Sequence, residues 1–370
     1  MSHANPIAVV SMSGGKDSLA TALLAIDQYG HDRCRFVTAD TGHEHELTIA
    51  HLSDYLPRRL NIQIDVVRAD FSADITRKRV YVAEKWPEKL VNGKAGKWVR
   101  LGSVDEDDAE PPPPANPYLG SVIGGWVWSP AIRPISADEA AEVVARALSV
   151  LHPTGIPFLD LCLWKGRFPS RKAQFCTQQL KRFPLDRYMI DLASQGRRLE
   201  SWQGVRRDES HARRNAAERE MTPEGWEIVR PIVTWTAQEV VDFVRSRGID
   251  LNPLYSQGCN RVGCMLCINA GKDEIANAAR RWPEHIDRIR EWERLVGMAC
   301  KRGFSTLLHH ADGEGGDAEH AFRHSNIDSM VDWSRTSRGG AWLQPDGAGS
   351  RRRRSGLQLL LRPLRVRAAP

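Results

Sequence analysis

The sequence predicts an α/β protein built on a doubly wound parallel sheet, and three observations carry that expectation. Short β-branched runs alternate with amphipathic stretches through the first seventy residues. The joins between them are short. The join after the first run is rich in Ser and Gly, as expected where a strand hands over to a helix. Ile7-Ala8-Val9-Val10 reads as a buried strand. Leu19 to Tyr29 places Leu19, Ala22, Leu23 and Ile26 on one helical face and ends at Gly30. Phe36 to Ala39 is a second strand, Leu47 to Leu60 a helix, and Ile62 to Val67 a third strand. Strand–helix–strand–helix–strand with short joins implies parallel pairing, with helices covering the sheet.

Beyond this the pattern divides the chain into four expected parts: 1–92, an insertion 93–156, a resumption 157–300 and a poorly ordered tail 301–370. The insertion holds an acidic run (Asp105, Glu106, Asp107, Asp108, Glu110), the prolines Pro111 to Pro114 and one helical stretch near Asp138 to Leu151. An acidic run beside prolines reads as a solvated loop. Thr236-Ala237-Gln238-Glu239 is a capping box opening a helix that stops at Gly248. Pro283 to Met298 carries the apolar stripe Ile286, Ile289, Trp292 and Val296. Past Gly303 the periodicity fades.

Hydrophobic residues make up 41% and charged residues 26% of 370, ordinary globular values that exclude wholesale disorder. No apolar run approaches a membrane span, and the start lacks a cationic region ahead of an apolar one. The expectation is a cytoplasmic protein with no membrane partner. The net charge of +6 is local: seven arginines lie between Arg351 and Pro370, and residues 1–350 without them carry −1. Bulk charge therefore does not indicate a nucleic-acid partner for the body of the chain.

Ser11-Met12-Ser13-Gly14-Gly15-Lys16-Asp17-Ser18 lies between the first strand and the first helix. A parallel sheet binds ligands there, outside the carboxyl ends of its strands. Gly14 and Gly15 permit a close backbone approach, and helix-start amides attract an anion. Ser13 and Ser18 add hydroxyls, Lys16 a charge, and Asp17 a cap or a ligand for Mg²⁺. A Gly-Gly turn with a helix cap is the plain alternative. The loop matches neither G-x-x-x-x-G-K-[ST] nor G-x-G-x-x-G.

Cys259-x4-Cys264-x2-Cys267 packs three of the seven cysteines into nine residues. The spacing suits an iron–sulfur cluster or zinc, with three reduced structural thiols as the plain alternative. Cys34 and Cys162 lie in apolar surroundings, whereas Cys176 is flanked by polar and basic residues. His43 and His45 stand two apart, a poor spacing for one helical face.

Ser-x-Ser-Gly-Gly-Lys-Asp-Ser resembles the pyrophosphate loop of the adenine nucleotide α-hydrolase superfamily. Within it the chain is most similar to the phosphoadenylyl-sulfate reductase-like family of iron–sulfur type. Asp40-Thr41-Gly42-His43-Glu44 is similar to the family's nucleotide segment. Cys176 to Leu185, with Lys181 and Pro184-Leu185, resembles its cysteine–lysine stretch. Gly204 to Ser210 resembles its Gly-x-Arg-Arg-x-x-Ser, and Asn252 to Cys267 its Asn-Pro-Leu segment leading to Gly-Cys-x-x-Cys. The likeness covers roughly 7–90 and 157–297.

The resemblance implies that Ser11, Ser13, Gly14, Gly15, Lys16, Asp17, Ser18, Asp40, Thr41 and Gly42 hold ATP or an adenylyl sulfate with Mg²⁺. It implies Lys16, Lys181, Arg206 and Arg207 as the catalytic charges, and Cys176, Cys259, Cys264 and Cys267 as ligands of a 4Fe–4S cluster. The implied activity is adenylation with pyrophosphate release coupled to sulfur transfer, using a sulfur donor or a thioredoxin-like reductant. Genuine sulfonucleotide reduction is one alternative. Another is a nucleotide-responsive nucleic-acid-binding module with a structural metal cluster.

Two departures stand out. Phe175, not a second cysteine, precedes Cys176, and Cys259 occupies a place where the reductases carry an aromatic residue. Their C-terminal Glu-Cys-Gly-x-His has no counterpart, Cys300 being the one cysteine after Cys267.

Overall fold

The computed structural model describes residues 6–93, 97–100, 122–123, 126–129, 134–308 and 318–337. The acidic run, the four prolines and the arginine-rich end lie outside them. The chain forms two compact units. One takes the described residues up to 69 and from 176 to 267; the other takes those from 70 to 175 and from 268 to 337.

The first unit opens with β1 (Ile7–Ser11), α1 (Lys16–Tyr29) and β2 (Cys34–Asp40). The expected helix 47–60 is two short helices, α2 (Glu46–Ala50) and α3 (Leu56–Leu60), joined through a π-helical turn at His51–Tyr55. Next comes β3 (Ile64–Arg68). After the second unit's first segment the sheet resumes with β7 (Leu199–Trp202), β8 (Arg219–Met221) and β9 (Glu227–Val229). A second π turn (Thr177–Arg182) and α7 (Phe183–Ala193) precede β7. Two helices, α8 (Ala237–Ser246) and α9 (Pro253–Ser256), close the unit. The strand order is β3-β2-β1-β7-β9-β8. Every pairing is parallel except β8 with β9.

Alternation explains why both faces of β1 are apolar. Ala8 and Val10 pack with Leu19, Leu23, Val240 and Val244 from α1 and α8. Ile7 and Val9 pack with Met189 of α7, Leu199 and Trp226. A strand buried on both faces reads as a continuous apolar run, as this one does. The capping box at α8 is present as expected: Thr236 accepts from the Glu239 amide, and the Glu239 carboxylate accepts in return. α1 begins three residues earlier than its apolar stripe, so Lys16, Asp17 and Ser18 form its first turn.

The second unit is mainly helical. It comprises α4 (Ser72–Val91), α5 (Ala137–Val150), α6 (Pro157–Lys165), α10 (Lys272–Arg281), α11 (Pro283–Met298), α12 (Ala318–Ser325) and α13 (Ile327–Ser334). A three-stranded antiparallel sheet of β4 (Lys97–Arg100), β5 (Val122–Ile123) and β6 (Trp126–Ser129) lies between α4 and α5 in the chain. Phe158 of α6 stacks on Trp292 of α11 at 5.7 Å, an aromatic contact between two buried side chains. The helices α12 and α13 stand where the sequence pattern had faded; each is only eight residues long, too short to repeat an apolar stripe more than twice.

Candidate functional site

The site begins where β1 ends. Gly14 has φ +75°, and a Cβ there would sit 2.8 Å from the Thr48 methyl, so backbone freedom and close approach both demand glycine. The loop closes on itself through its serines. The Ser13 amide and hydroxyl both donate to Ser18 Oγ at 3.1 Å, and Ser18 Oγ donates to the Gly15 carbonyl at 3.0 Å. Gly15, the N-cap of α1, brings no side chain to the first amides of the helix. The positive end of a fourteen-residue helix therefore faces the loop.

Three side chains brace the loop from behind. The Lys16 amide donates to Tyr255 Oη at 3.1 Å, and Asn252 Nδ2 donates to the Gly14 carbonyl at 3.2 Å. Burial pushes the Tyr255 phenol above its ordinary range, so it stays neutral and keeps a proton to donate. Asp17 is held by Lys16 Nζ at 2.9 Å and by Arg206 Nε at 2.5 Å. Arg206 is 4% exposed and also pairs with Asp208. Gly204, at the start of the Gly-x-Arg-Arg segment, lies so close that a Cβ would meet the Asp17 carbonyl carbon at 2.7 Å.

From β2 the segment Asp40–Glu44 forms the next wall. Asp40 accepts from the Gly42 amide at 2.7 Å and from Arg68 at 2.5 and 2.8 Å. Glu44 accepts from the Thr41 hydroxyl at 2.7 Å and the His43 amide at 3.2 Å. This segment is stitched to the cysteine loop by a Glu44–Cys264 bridge and by the Met265 amide donating to the His43 carbonyl at 2.8 Å. His43 Nε2 bonds the Leu266 carbonyl at 2.9 Å, and His45 Nδ1 caps α2 by accepting from Leu47.

A cavity of about 560 Å³ opens at the carboxyl ends of β1 and β2. Ser11, Ser13, Asp40, Glu44 and Lys181 bring polar groups to it. Val37, Leu52 and Ile64 supply apolar walls, as do Ile49 and Val66, which are 49% and 62% exposed. The volume and the mixture of walls suit a small-molecule site. The two π turns supply Leu52, Ser53 and Lys181 to its lining; such turns are often found at functional sites.

Lys181 stands among three thiols. Cys264, then Glu44, Cys267 and Cys176, raise its ammonium above the ordinary range against the opposing effect of burial. Burial in turn pushes the Cys264 thiol up to about 11, opposed by Lys181. Cys176 is raised by burial and by neighbouring Cys267. Cys259 lies five residues before Cys264 on the same loop, its amide donating to the Leu254 carbonyl at 3.0 Å. Among the described residues no three cysteine sulfurs lie within 4.8 Å of one another. The donor set fits a cluster of thiolate ligands in two respects: three thiols share one neighbourhood, and a cation offsets the negative charge that ligation would place there. Cys34 and Cys162 are buried as expected, and the Cys300 thiol donates to the Gly297 and Phe304 carbonyls.

The structure thus brings the expected loop (Ser11 to Ser18), the Asp40–Gly42 segment, Lys181, Cys176, Cys264 and Cys267 into one part of the first unit. It places Arg206 behind the loop and Arg207 at the surface, where Arg207 Nε donates to the Ala216 carbonyl at 3.0 Å. Tyr255, Asn252, Glu44 and Arg68 were not among the expected site residues. The Asn-Pro-Leu-Tyr segment was the available signal for the first two.

A doubly wound α/β unit with an anion-suited loop at its first strand–helix turn defines the class. The model of the phosphoadenosine phosphosulfate reductase domain matches residues 7–103 and 161–270, and the chain belongs to that family. An uncharacterized 37.8 kDa protein of Escherichia phage 186 is 40% identical over 346 residues, covering 90% of each chain. Adenosine 5'-phosphosulfate reductase of Allochromatium vinosum is 32% identical over 120 residues, 32% of this chain and 43% of that relative. The corresponding enzyme of Streptomyces coelicolor is 35% identical over 86 residues, 21% of this chain and 34% of the relative. The chain thus matches less than half the length of these two reductases. The crystal structure of a phosphoadenylyl-sulfate reductase from Candida auris aligns with TM-score 0.36 and 12% identity, over 70% of this chain and 82% of that one. Among the described residues no helix is long and apolar enough to cross a membrane.

Proposed function

We propose that the protein is an enzyme that binds ATP or an adenylyl sulfate in the cavity at the ends of β1 and β2. On this reading it carries out adenylation with pyrophosphate release coupled to sulfur transfer. The observation that carries the reading is the continuity of one cavity from Ser13 of the loop to Lys181 beside the thiols. Phosphates sit against the loop at the N-terminal end of α1, with Lys16 adding charge; the Asp17 carboxylate, held by Lys16 and Arg206, serves the loop and not a Mg²⁺ ion. The nucleoside covers Ile49 and Val66, whose exposure is otherwise unexplained. Asp40 lies at the level of the sugar. Lys181 faces the reacting end and offsets negative charge as it develops.

Cys176, Cys259, Cys264 and Cys267 would hold a 4Fe–4S cluster, which when bound supplies a redox-active, electron-rich group near that end. Arg206 acts by fixing Asp17 and the first turn of α1. Genuine reduction of a sulfonucleotide with a thioredoxin-like donor is the second reading, favoured by the names of the adenosine 5'-phosphosulfate reductases above. Against it stands Cys300, whose proton is directed at two backbone carbonyls.

Three measurements test the proposal. Lys16→Ala with Ser18→Ala should weaken ATP or adenylyl-sulfate binding at least about tenfold (~1.4 kcal/mol) in calorimetric titration, without unfolding the chain. Unchanged affinity in the double variant overturns the loop assignment. A turnover panel then separates the chemistry: pyrophosphate from ATP supports adenylation, whereas sulfite from an adenylyl sulfate with thioredoxin supports reduction. Elemental analysis of anaerobically purified protein should give iron and labile sulfide; stoichiometric zinc without iron removes the cluster from the proposal.

A further inference from the structure

Within the second unit, four lysines from three helix regions lie against three aromatic rings, those of Tyr81, Trp86 and Trp164. Lys78 Nζ lies 5.7 Å from the Tyr81 ring centroid and 5.4 Å from that of Trp86. Lys301 Nζ lies 5.3 Å from the Trp86 ring. Lys89 Nζ lies 4.9 Å from the Tyr81 ring and donates to Tyr81 Oη at 2.9 Å. Lys165 rests on Trp164 at 3.6 Å and is close enough to Lys78 to repel it.

Among the described residues none of the four lysines forms an ion pair with a carboxylate. Glu84 and Glu88 share α4 with two of them without pairing to either. This contrasts with the arginines of the same unit, since Arg77, Arg290, Arg294 and Arg323 each hold a carboxylate.

Like charges gathered without counter-charge raise the free energy of the empty site and lower it when an anion arrives. Lys78 is held below the usual lysine range by burial first and, to a lesser degree, by Lys301 and Lys165, with Tyr81 and Cys300 opposing. The C-terminal ends of α4, α6 and α11 explain why each helix has a lysine in or just beyond its last turn. They do not explain Lys78, which lies in the second turn of α4.

Two features point to a chain of phosphates and not to a single ion. Lys78, Lys85 and Lys89 follow one another along α4 over ~16 Å of helix, further than one phosphate reaches. Tyr81, 40% exposed, presents a ring among the ammonium groups, the combination of charge and aromatic surface that suits unstacked bases.

We propose that this lysine–aromatic face of the second unit binds single-stranded nucleic acid through its phosphates. The test is fluorescence anisotropy of a labelled twenty-nucleotide oligothymidylate with the full chain at several salt concentrations. Lys89→Glu with Lys165→Glu, both exposed, should weaken binding at least about tenfold and flatten the log–log salt slope by roughly 1.4, about 0.7 for each lost contact. ATP titration of the same variant should match the wild type, which separates failure here from failure of the nucleotide proposal. If the charge-reversed protein melts early, Lys89→Gln with Lys165→Gln makes the same comparison. Removal of residues 351–370 should leave most of the binding in place. The proposal is overturned if the wild type does not bind at about 50 mM salt, if the lysine variants bind as tightly as it does, or if binding disappears with the tail alone.

Discussion

Arg206 and Arg207 are neighbours in sequence and opposites in surroundings. Arg206 is buried between Asp17 and Asp208, so Arg206→Ala leaves Asp17 beneath the loop with one partner fewer. Removing one member of a buried pair costs about 3–5 kcal/mol, and thermal unfolding should show a clear fall in melting temperature. Arg207→Ala should stay within about 0.5 kcal/mol of wild type, as surface changes do. Equal melting of both variants would contradict the assignment of Arg206 as a brace. Gly204→Ala makes a related point. Its Cβ would press on the Asp17 backbone at 2.7 Å, so it should cost about 1–3 kcal/mol by overpacking and weaken nucleotide binding by displacing the first turn of α1. A Gly204→Ala protein with native stability would mean that the segment yields without loss.

At the scale of elements, Glu293 joins three pieces of the second unit. From α11 its buried carboxylate accepts the Leu307 amide and the Ile327 amide, each at 2.9 Å, fixing a loop and the start of α13. Burial pushes its pKa up to about 7 in spite of those two bonds. A carboxyl raised from 4.5 favours the protonated form in the fold, so its stabilising contribution is full below about pH 4.5. It is lost as pH rises through 7, a change of about 3 kcal/mol. Glu293→Gln should flatten the pH dependence of melting between pH 5 and 7.5 relative to wild type; parallel curves would refute this role.

The first strands, α8 and α11 were legible because their apolar spacing and caps are local properties. The helix α13 was not, because it packs on α10 and α11, earlier in the chain, and α12 was not, because it is short and packs on α13. The site divided the same way. The loop serines and glycines announce themselves, but Tyr255 and Asn252 reach Lys16 and Gly14 across about 240 residues. No local pattern encodes such a contact. Nor could spacing distinguish a buried arginine from an exposed one at adjacent positions.

At the scale of the molecule, occupancy and stability are linked. ATP at about a hundred times its dissociation constant should add about 2.7 kcal/mol to unfolding, read as a rise in melting temperature that the Lys16→Ala, Ser18→Ala protein lacks. No rise in the wild type would argue against binding to the folded form. The sheet has a further consequence, for the time at which it can be completed. β1 lies between β2 and β7, yet β3 ends at Arg68 and β7 begins at Leu199. A ribosome adding about 5–20 residues per second leaves the apolar strand Ile7–Ser11 with one edge unpaired for on the order of ten seconds. Through that interval the nascent chain displays an open edge of the kind that templates aggregation. Its yield in a cell should therefore depend on chaperones that shield the emerging chain until β7 has been synthesised.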